Sequence, residues 1–96
     1  MGLTGKQRRT LRALGHHLTA VVQVGHAGVT EAVVAAVEQA LHDHELVKVR
    51  ISENAPQPRA VVAEALANAT ASELAQLLGR TALLYRARPE DPKILL

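Results

Sequence analysis

The sequence predicts one small α/β domain, with element order α-β-α-β-α-β-β and helices covering a mixed four-stranded sheet. Three observations carry this. The chain has 96 residues, 48% hydrophobic and 21% charged, which suits a single globular core. Apolar residues change along the chain between helical spacing and strict alternation. A strand, a helix and a second strand follow one another within about thirty residues, the length of a βαβ unit with parallel strands.

The first helix runs from about Thr4 to Leu14. Thr4 and Gln7 have the spacing of a capping box. Gln7, Thr10, Leu11 and Leu14 share one side, and Lys6, Arg8, Arg9 and Arg12 are assigned to the opposite arc. Gly15 is expected to end the helix as a C-terminal cap. After a connection over residues 16–20, the β-branched run Val21-Val22-Gln23-Val24 reads as a strand. It stops at Gly25-His26-Ala27-Gly28. Thr30 is the N-cap of a long second helix, and Glu31 sits in its first turn. This helix is expected to bury Val33, Val34, Val37, Ala40, Leu41 and His44. Glu31, Ala35, Glu38, Gln39 and His42 should face water.

Residues 46–51 alternate. Val47, Val49 and Ile51 point one way and Lys48 and Arg50 the other, giving a strand with one buried face and one solvated, basic face. Residues 52–58 form a loop, and Pro58 suits the first position of a third helix ending near Ala69. Its expected buried face is Val61, Val62, Ala65 and Leu66. Glu73 to Leu78 and Thr81 to Arg86 are two more strands, joined by Gly79-Arg80 as a two-residue hairpin turn. The proline-broken end is expected to fray. The domain is therefore placed at residues 1–88, with a frayed tail over 89–96.

Composition excludes several functions. There is no Phe, no Trp and a single Tyr, so no row of aromatics can stack successive bases. Tyr85 suits a sheet position with its hydroxyl at the rim, or a lone stacking contact. Without cysteine there is no disulfide, thiolate site or thiol nucleophile. His16 and His17 point apart in an extended segment, and His42 and His44 stand about 200° apart on a helix, so no metal site is assigned. Thr4, Thr19 and Thr30 fall at caps and connections, and Glu38, Asp43 and Glu64 on solvated faces. No catalytic residue and no cofactor are expected. No apolar run approaches about 18 residues, and no apolar stretch follows the charged N-terminus. A cytoplasmic protein with no membrane partner is the expectation.

Charge is uneven. Residues 1–30 hold Lys6, Arg8, Arg9 and Arg12 and no acid, for +4, and the remainder carries −2. A basic first third suggests an anion-binding surface, although a merely solvated helix face has the same look. The strand–GxxG–helix junction lies in that third. Two glycines let the backbone turn tightly and approach a ligand, and a helix start offers free N–H groups suited to phosphate. A plain βα turn needs the same glycines. No Gly-Lys-Ser/Thr follows, so this is no triphosphate loop, and a dinucleotide fingerprint lacks its third glycine.

Five stretches in register carry a resemblance. They are residues 3–9 with Leu11-Arg12, residues 22–30 with Gly25-His26-Ala27-Gly28, residues 38–41, residues 44–50 and residues 79–86. The chain resembles a stand-alone CRM domain (chloroplast RNA splicing and ribosome maturation) of the YhbY-like family. The resemblance implies a fold similar to the C-terminal domain of translation initiation factor 3. It also implies RNA binding through a GxxG loop comparable to that of KH domains, with precursor large ribosomal subunits as bacterial partners. Carried over by position, the loop is Gly25, His26, Ala27 and Gly28. The family usually places a basic or polar residue at one or both middle positions. His26 and Ala27 give no permanent charge, so phosphate contact falls to backbone N–H groups, helped by His26 when protonated.

The expected function is non-catalytic binding of structured ribosomal RNA, by a monomer without affinity for DNA. The first helix, Lys48 and Arg50 would supply charge to the phosphates, and Arg80 and Arg86 would extend the basic surface. The alternative is a protein-interaction adaptor with no direct RNA contact. An enzyme acting on RNA is a third reading.

Overall fold

The computed structural model describes residues 2–96. Its elements are α1 (Gly5–Gly15), β1 (Ala20–Val24), α2 (Glu31–His44), β2 (Leu46–Ile51), α3 (Arg59–Ala69), β3 (Glu73–Leu78) and β4 (Thr81–Tyr85), in the order expected. The strands form one sheet, ordered β1-β2-β4-β3. β1 and β2 are parallel, and the pairs β2–β4 and β3–β4 are antiparallel. β4 is central, and Ala82, Leu83, Leu84 and Tyr85 are all buried. A strand covered on both faces has no reason to alternate.

The two faces carry separate cores. On one, Val47, Val49, Ile51, Ala82 and Leu84 meet Val37 and Leu41 of α2 and Val62, Ala63, Leu66 and Ala67 of α3. On the other, Leu46, Ala75, Leu83 and Tyr85 pack around Leu11 of α1. The second face of β2 is therefore solvated only in part. Leu46 is buried under α1, Lys48 is half-buried and Arg50 is exposed. Removing a side chain such as Leu11 or Leu84, both fully buried, costs about 2–5 kcal/mol.

Local chemistry explains most boundaries. The Thr4–Gln7 capping box forms in both directions, at 3.1 and 3.0 Å. Gly15 plays a different part from the one expected. It lies inside the helix, and the following His16 is right-handed at φ −57°. A Cβ on Gly15 would stand 2.8 Å from both Cδ atoms of Leu83. The glycine lets α1 settle onto β4. Gly79, at φ +56°, does turn the chain, as expected of the hairpin. In α3 the buried side is Val62, Ala63, Leu66 and Ala67, while Val61 is 48% exposed. The expected stripe was one residue out of phase, because an Ala/Val helix offers two equivalent stripes. His44 is exposed rather than buried, and Glu38 is half-buried rather than free.

The tail after β4 is tied down where fraying was expected. The buried Glu45 carboxylate accepts backbone N–H groups from Arg88 at 2.9 Å, Lys93 at 2.6 Å and Ile94 at 3.0 Å. The Arg88 guanidinium donates to the carbonyls of His42 and Asp43. Ile94 then packs on the core around Leu11. Glu45 also caps α2 at φ +65°, an uncommon backbone state for a residue with a side chain. Burial pushes its carboxyl pKa up. The three N–H donors and the Arg88 charge outweigh that and hold it below the ordinary value.

Candidate nucleic-acid interface

Strand direction gathers three connections at one end of the sheet. β1 and β2 finish there at Val24 and Ile51, and β4 begins there at Thr81, paired with Arg50. Backbone bonds hold the connections together: Ser52 N–H donates to the Val24 carbonyl at 2.9 Å, and Ile51 N–H to the Arg80 carbonyl at 2.7 Å.

Gly25-His26-Ala27-Gly28 is a tight turn at this end. The Gly28 N–H donates to the Gly25 carbonyl at 3.0 Å, leaving His26 and Ala27 exposed at the tip. The two glycines differ. Gly28 sits at φ +74°, and a Cβ there would lie 3.2 Å from Pro56 Cγ. Only glycine suits that position. Gly25 has an ordinary φ, and a Cβ there would have no neighbour within 4 Å. The fold does not need glycine at 25; its absent side chain leaves the backbone open to an approaching ligand.

The helix start behind the turn is less available than the motif suggests. Thr30 Oγ1 accepts the Val33 N–H at 3.1 Å, and the Thr30 N–H donates to the Gly28 carbonyl. Exposed Glu31 in the first turn already offsets the positive end of α2. Permanent positive charge near the turn comes from two arginines. Arg50 is paired across strands with Gln23, two residues before Gly25. Arg80 lies in the adjoining hairpin, with Nε 4.0 Å from the exposed carboxylate of Glu53, a contact worth little in water. Arg59, which sequence reasoning passed over, lines one recess with Arg80 and Pro56. Its signal was Pro58, expected as the first helical residue; in the structure Pro58 is the N-cap and Arg59 opens α3.

The remaining cations divide. Lys6, Arg9 and Arg12 are exposed. Arg8 is not on the outer arc: its Nη1 donates to the Leu74 carbonyl at 2.7 Å and ties α1 to β3. It precedes Leu11 by three residues and so shares its side of the helix. Leu74 lies near the start of β3, at the sheet end away from the turn, so the early part of α1 is remote from the GxxG. Arg86 is also engaged, with Nη1 donating to Glu38 Oε1 at 2.8 Å and to the Thr70 carbonyl at 2.7 Å. It clamps α2 and the end of α3 to the sheet instead of extending a basic surface. Tyr85 is 8% exposed inside the second core, which leaves no face for a base. Burial, with the nearby Glu45 charge, pushes its phenol pKa up.

The model of the CRS1/YhbY (CRM) domain matches residues 3–86. Over 92 residues the chain is 42% identical to the probable RNA-binding protein YqeI of Bacillus subtilis, covering 96% of each. It is 39% identical over 95 residues to a probable RNA-binding protein of Pseudomonas aeruginosa, covering 99% of this chain and 91% of that one. The solution structure of a candidate RNA-binding protein from Staphylococcus aureus superposes with a TM-score of 0.84 at 37% identity, over 98% of each chain. On a match of this extent, the chain belongs to the CRS1/YhbY (CRM) domain family.

Proposed function

We propose that this chain is a non-catalytic RNA-binding protein that acts in the cytoplasm, as a monomer, on structured ribosomal RNA in precursors of the large subunit. One juxtaposition supports the reading above all. The open Gly25–Gly28 turn stands at the same end of the sheet as Arg50 and Arg80, so backbone donors and guanidinium groups address one stretch of phosphates. The names of its relatives point the same way. Crosslinking in cells, followed by sequencing of the bound RNA, tests the target. Enrichment of large-subunit precursor RNA is expected, and a profile without it overturns the assignment.

The adaptor reading has one observation in its favour. Leu14, Leu18 and Val21 are exposed beside Leu46 and Ile94 and line an apolar groove of about 380 Å³. Salt separates the two. Affinity carried by several cations falls steeply between about 50 and 200 mM salt, whereas apolar docking does not.

A further inference from the structure

The end of α1 comes down onto Leu83 at Gly15, and part of the sheet beside it is left uncovered. Two cross-strand rows meet its edge, Lys48–Leu83–Gln76 and Arg50–Thr81–Leu78. Between this part of the sheet and the last turns of α1 lies a crevice of about 360 Å³, within the range of small-molecule sites, roughly 300–1,000 Å³. Its apolar lining is Ala13 and Leu78 with the edge of buried Leu83, and its polar groups come from Arg12, His16, Lys48, Gln76 and Thr81.

Three features of this lining point to a ligand. Among the described residues, no ion pair engages Arg12 or Lys48. No side-chain hydrogen bond among them engages Gln76 or Thr81, although both residues are half-buried. Arg12 and His16 are planar groups at the mouth. Unstacked RNA bases are held on aromatic rings, histidine or arginine planes, and are read by hydrogen bonds along their edges. With Tyr85 buried and no Phe or Trp in the chain, stacking here depends on arginine and histidine, and the crevice presents one of each. The Gln76 amide offers a donor beside an acceptor, the pair that matches adenine. Lys48 supplies charge for an adjoining phosphate.

We infer that this crevice takes one unstacked RNA base, adenine preferred, held against the Arg12 and His16 planes, and reads it through Gln76 and Thr81. The inference rests on the RNA-binding reading and adds sequence preference to it. The crevice lies along the strands from the GxxG turn. Lys48 is three residues from the end of β2, about 10 Å at the usual rise per residue, so one strand can occupy both.

The test uses the whole chain and an octauridine whose fifth position is varied among A, C, G and U, with binding read by fluorescence anisotropy. Adenine should bind about fivefold or more tighter than the weakest base, in line with one well-placed amide pair. Gln76→Ala should bring all four within about twofold while leaving the melting temperature unchanged. Arg12→Lys keeps the charge and removes the plane; it should weaken the adenine oligomer about tenfold, the order of one stacking contact, with the salt slope preserved. Arg50→Ala should weaken all four alike and keep their ranking. A native spread below about twofold, or a spread that survives Gln76→Ala, overturns the pocket. If all four still bind with a steep salt dependence in that case, RNA binding stands without base reading. If neither these oligomers nor structured ribosomal RNA binds, both readings fall.

Discussion

The carboxylate of Glu45 accepts the backbone N–H of Ile94 at 3.0 Å, across 49 positions of sequence. Arg88 and Lys93 donate to the same carboxylate, so one buried acid fastens the tail to the second core. Glu45→Gln keeps the shape and loses the charge. Hydrogen bonds to charged groups are worth more than neutral ones, and the change should destabilise the domain by about 1–3 kcal/mol. Thermal unfolding should show a drop of roughly 4–8 °C per kcal/mol for a domain of this size. Amide exchange at Lys93 and Ile94 should accelerate. An unchanged melting temperature with a protected tail would remove Glu45 as its fastening.

The same carboxylate fixes an acid dependence. The Glu45 carboxyl lies below its ordinary value in the folded chain. Its folded form therefore binds a proton less readily than its unfolded form. The resulting stabilisation is present above the unfolded carboxylate value, about 4.3, and is lost as pH falls through the folded one. Measured from pH 6 down to pH 3, the native chain should lose more stability than Glu45→Gln. Parallel curves would show that the acid transition belongs to other carboxylates.

Arginines of one helix should separate by role. Arg8→Ala removes a bond to the Leu74 carbonyl and should cost about 1 kcal/mol of stability, with little change in the salt dependence of RNA binding. Arg9→Ala with Arg12→Ala should do the reverse, weakening RNA at least about tenfold and lowering the salt slope by about 0.7–0.9 for each phosphate no longer neutralised. Titrations at two salt concentrations, beside melting curves, check both. Equal salt slopes for the double variant and the native chain would take α1 out of the interface.

How much of this was legible depended on the range of the interaction. The Thr4–Gln7 box, the buried side of residues 46–51 and the Gly79-Arg80 turn are set by neighbours a few positions away, and each forms as read, although Lys48 on the other side of that strand is half-buried. The GxxG was visible as a turn for the same reason. Sheet order was not, since parallel and antiparallel partners of β2 leave similar apolar patterns. The roles of Arg8, Arg86 and Glu45 were hidden because their partners lie 66, 48 and 49 positions distant. A cation that meets a distant carbonyl looks in sequence like one that meets water. The crevice beside α1 was hidden too. It joins Arg12 and His16 of one segment to Lys48, Gln76 and Thr81 of three strands, residues that are far apart in the sequence.

The tip of the turn gives a charge test. Ala27 is exposed between His26 and Gly28, so Asp or Lys fits there without disturbing the core. If the turn holds phosphate, Ala27→Asp should weaken RNA binding by about 1–3 kcal/mol, the size of a charged hydrogen bond, and Ala27→Lys should tighten it. Anisotropy on one structured ribosomal RNA compares them. Coincident isotherms for the two variants would place the turn outside the interface.

The two glycines of the motif should part company. At Gly28 the chain runs at φ +74°, and an added methyl would press on Pro56 at 3.2 Å. Gly28→Ala therefore combines a strained backbone with a crowded neighbour, and should destabilise by about 1–3 kcal/mol, lowering the melting temperature whether or not RNA is present. At Gly25 neither penalty applies, because φ is ordinary and the space beside it is open. Gly25→Ala should melt like the native chain. If the turn amides hold a phosphate as proposed, the added methyl stands in its way, so RNA affinity should fall while the fold stays intact. Weaker binding at 25 with full stability, and weaker stability at 28, would show that one glycine serves the ligand and the other the turn. Should Gly25→Ala bind RNA as tightly as the native chain, the backbone at 25 is not where the phosphate sits. Arg50 and Arg80 would then have to hold the phosphate alone.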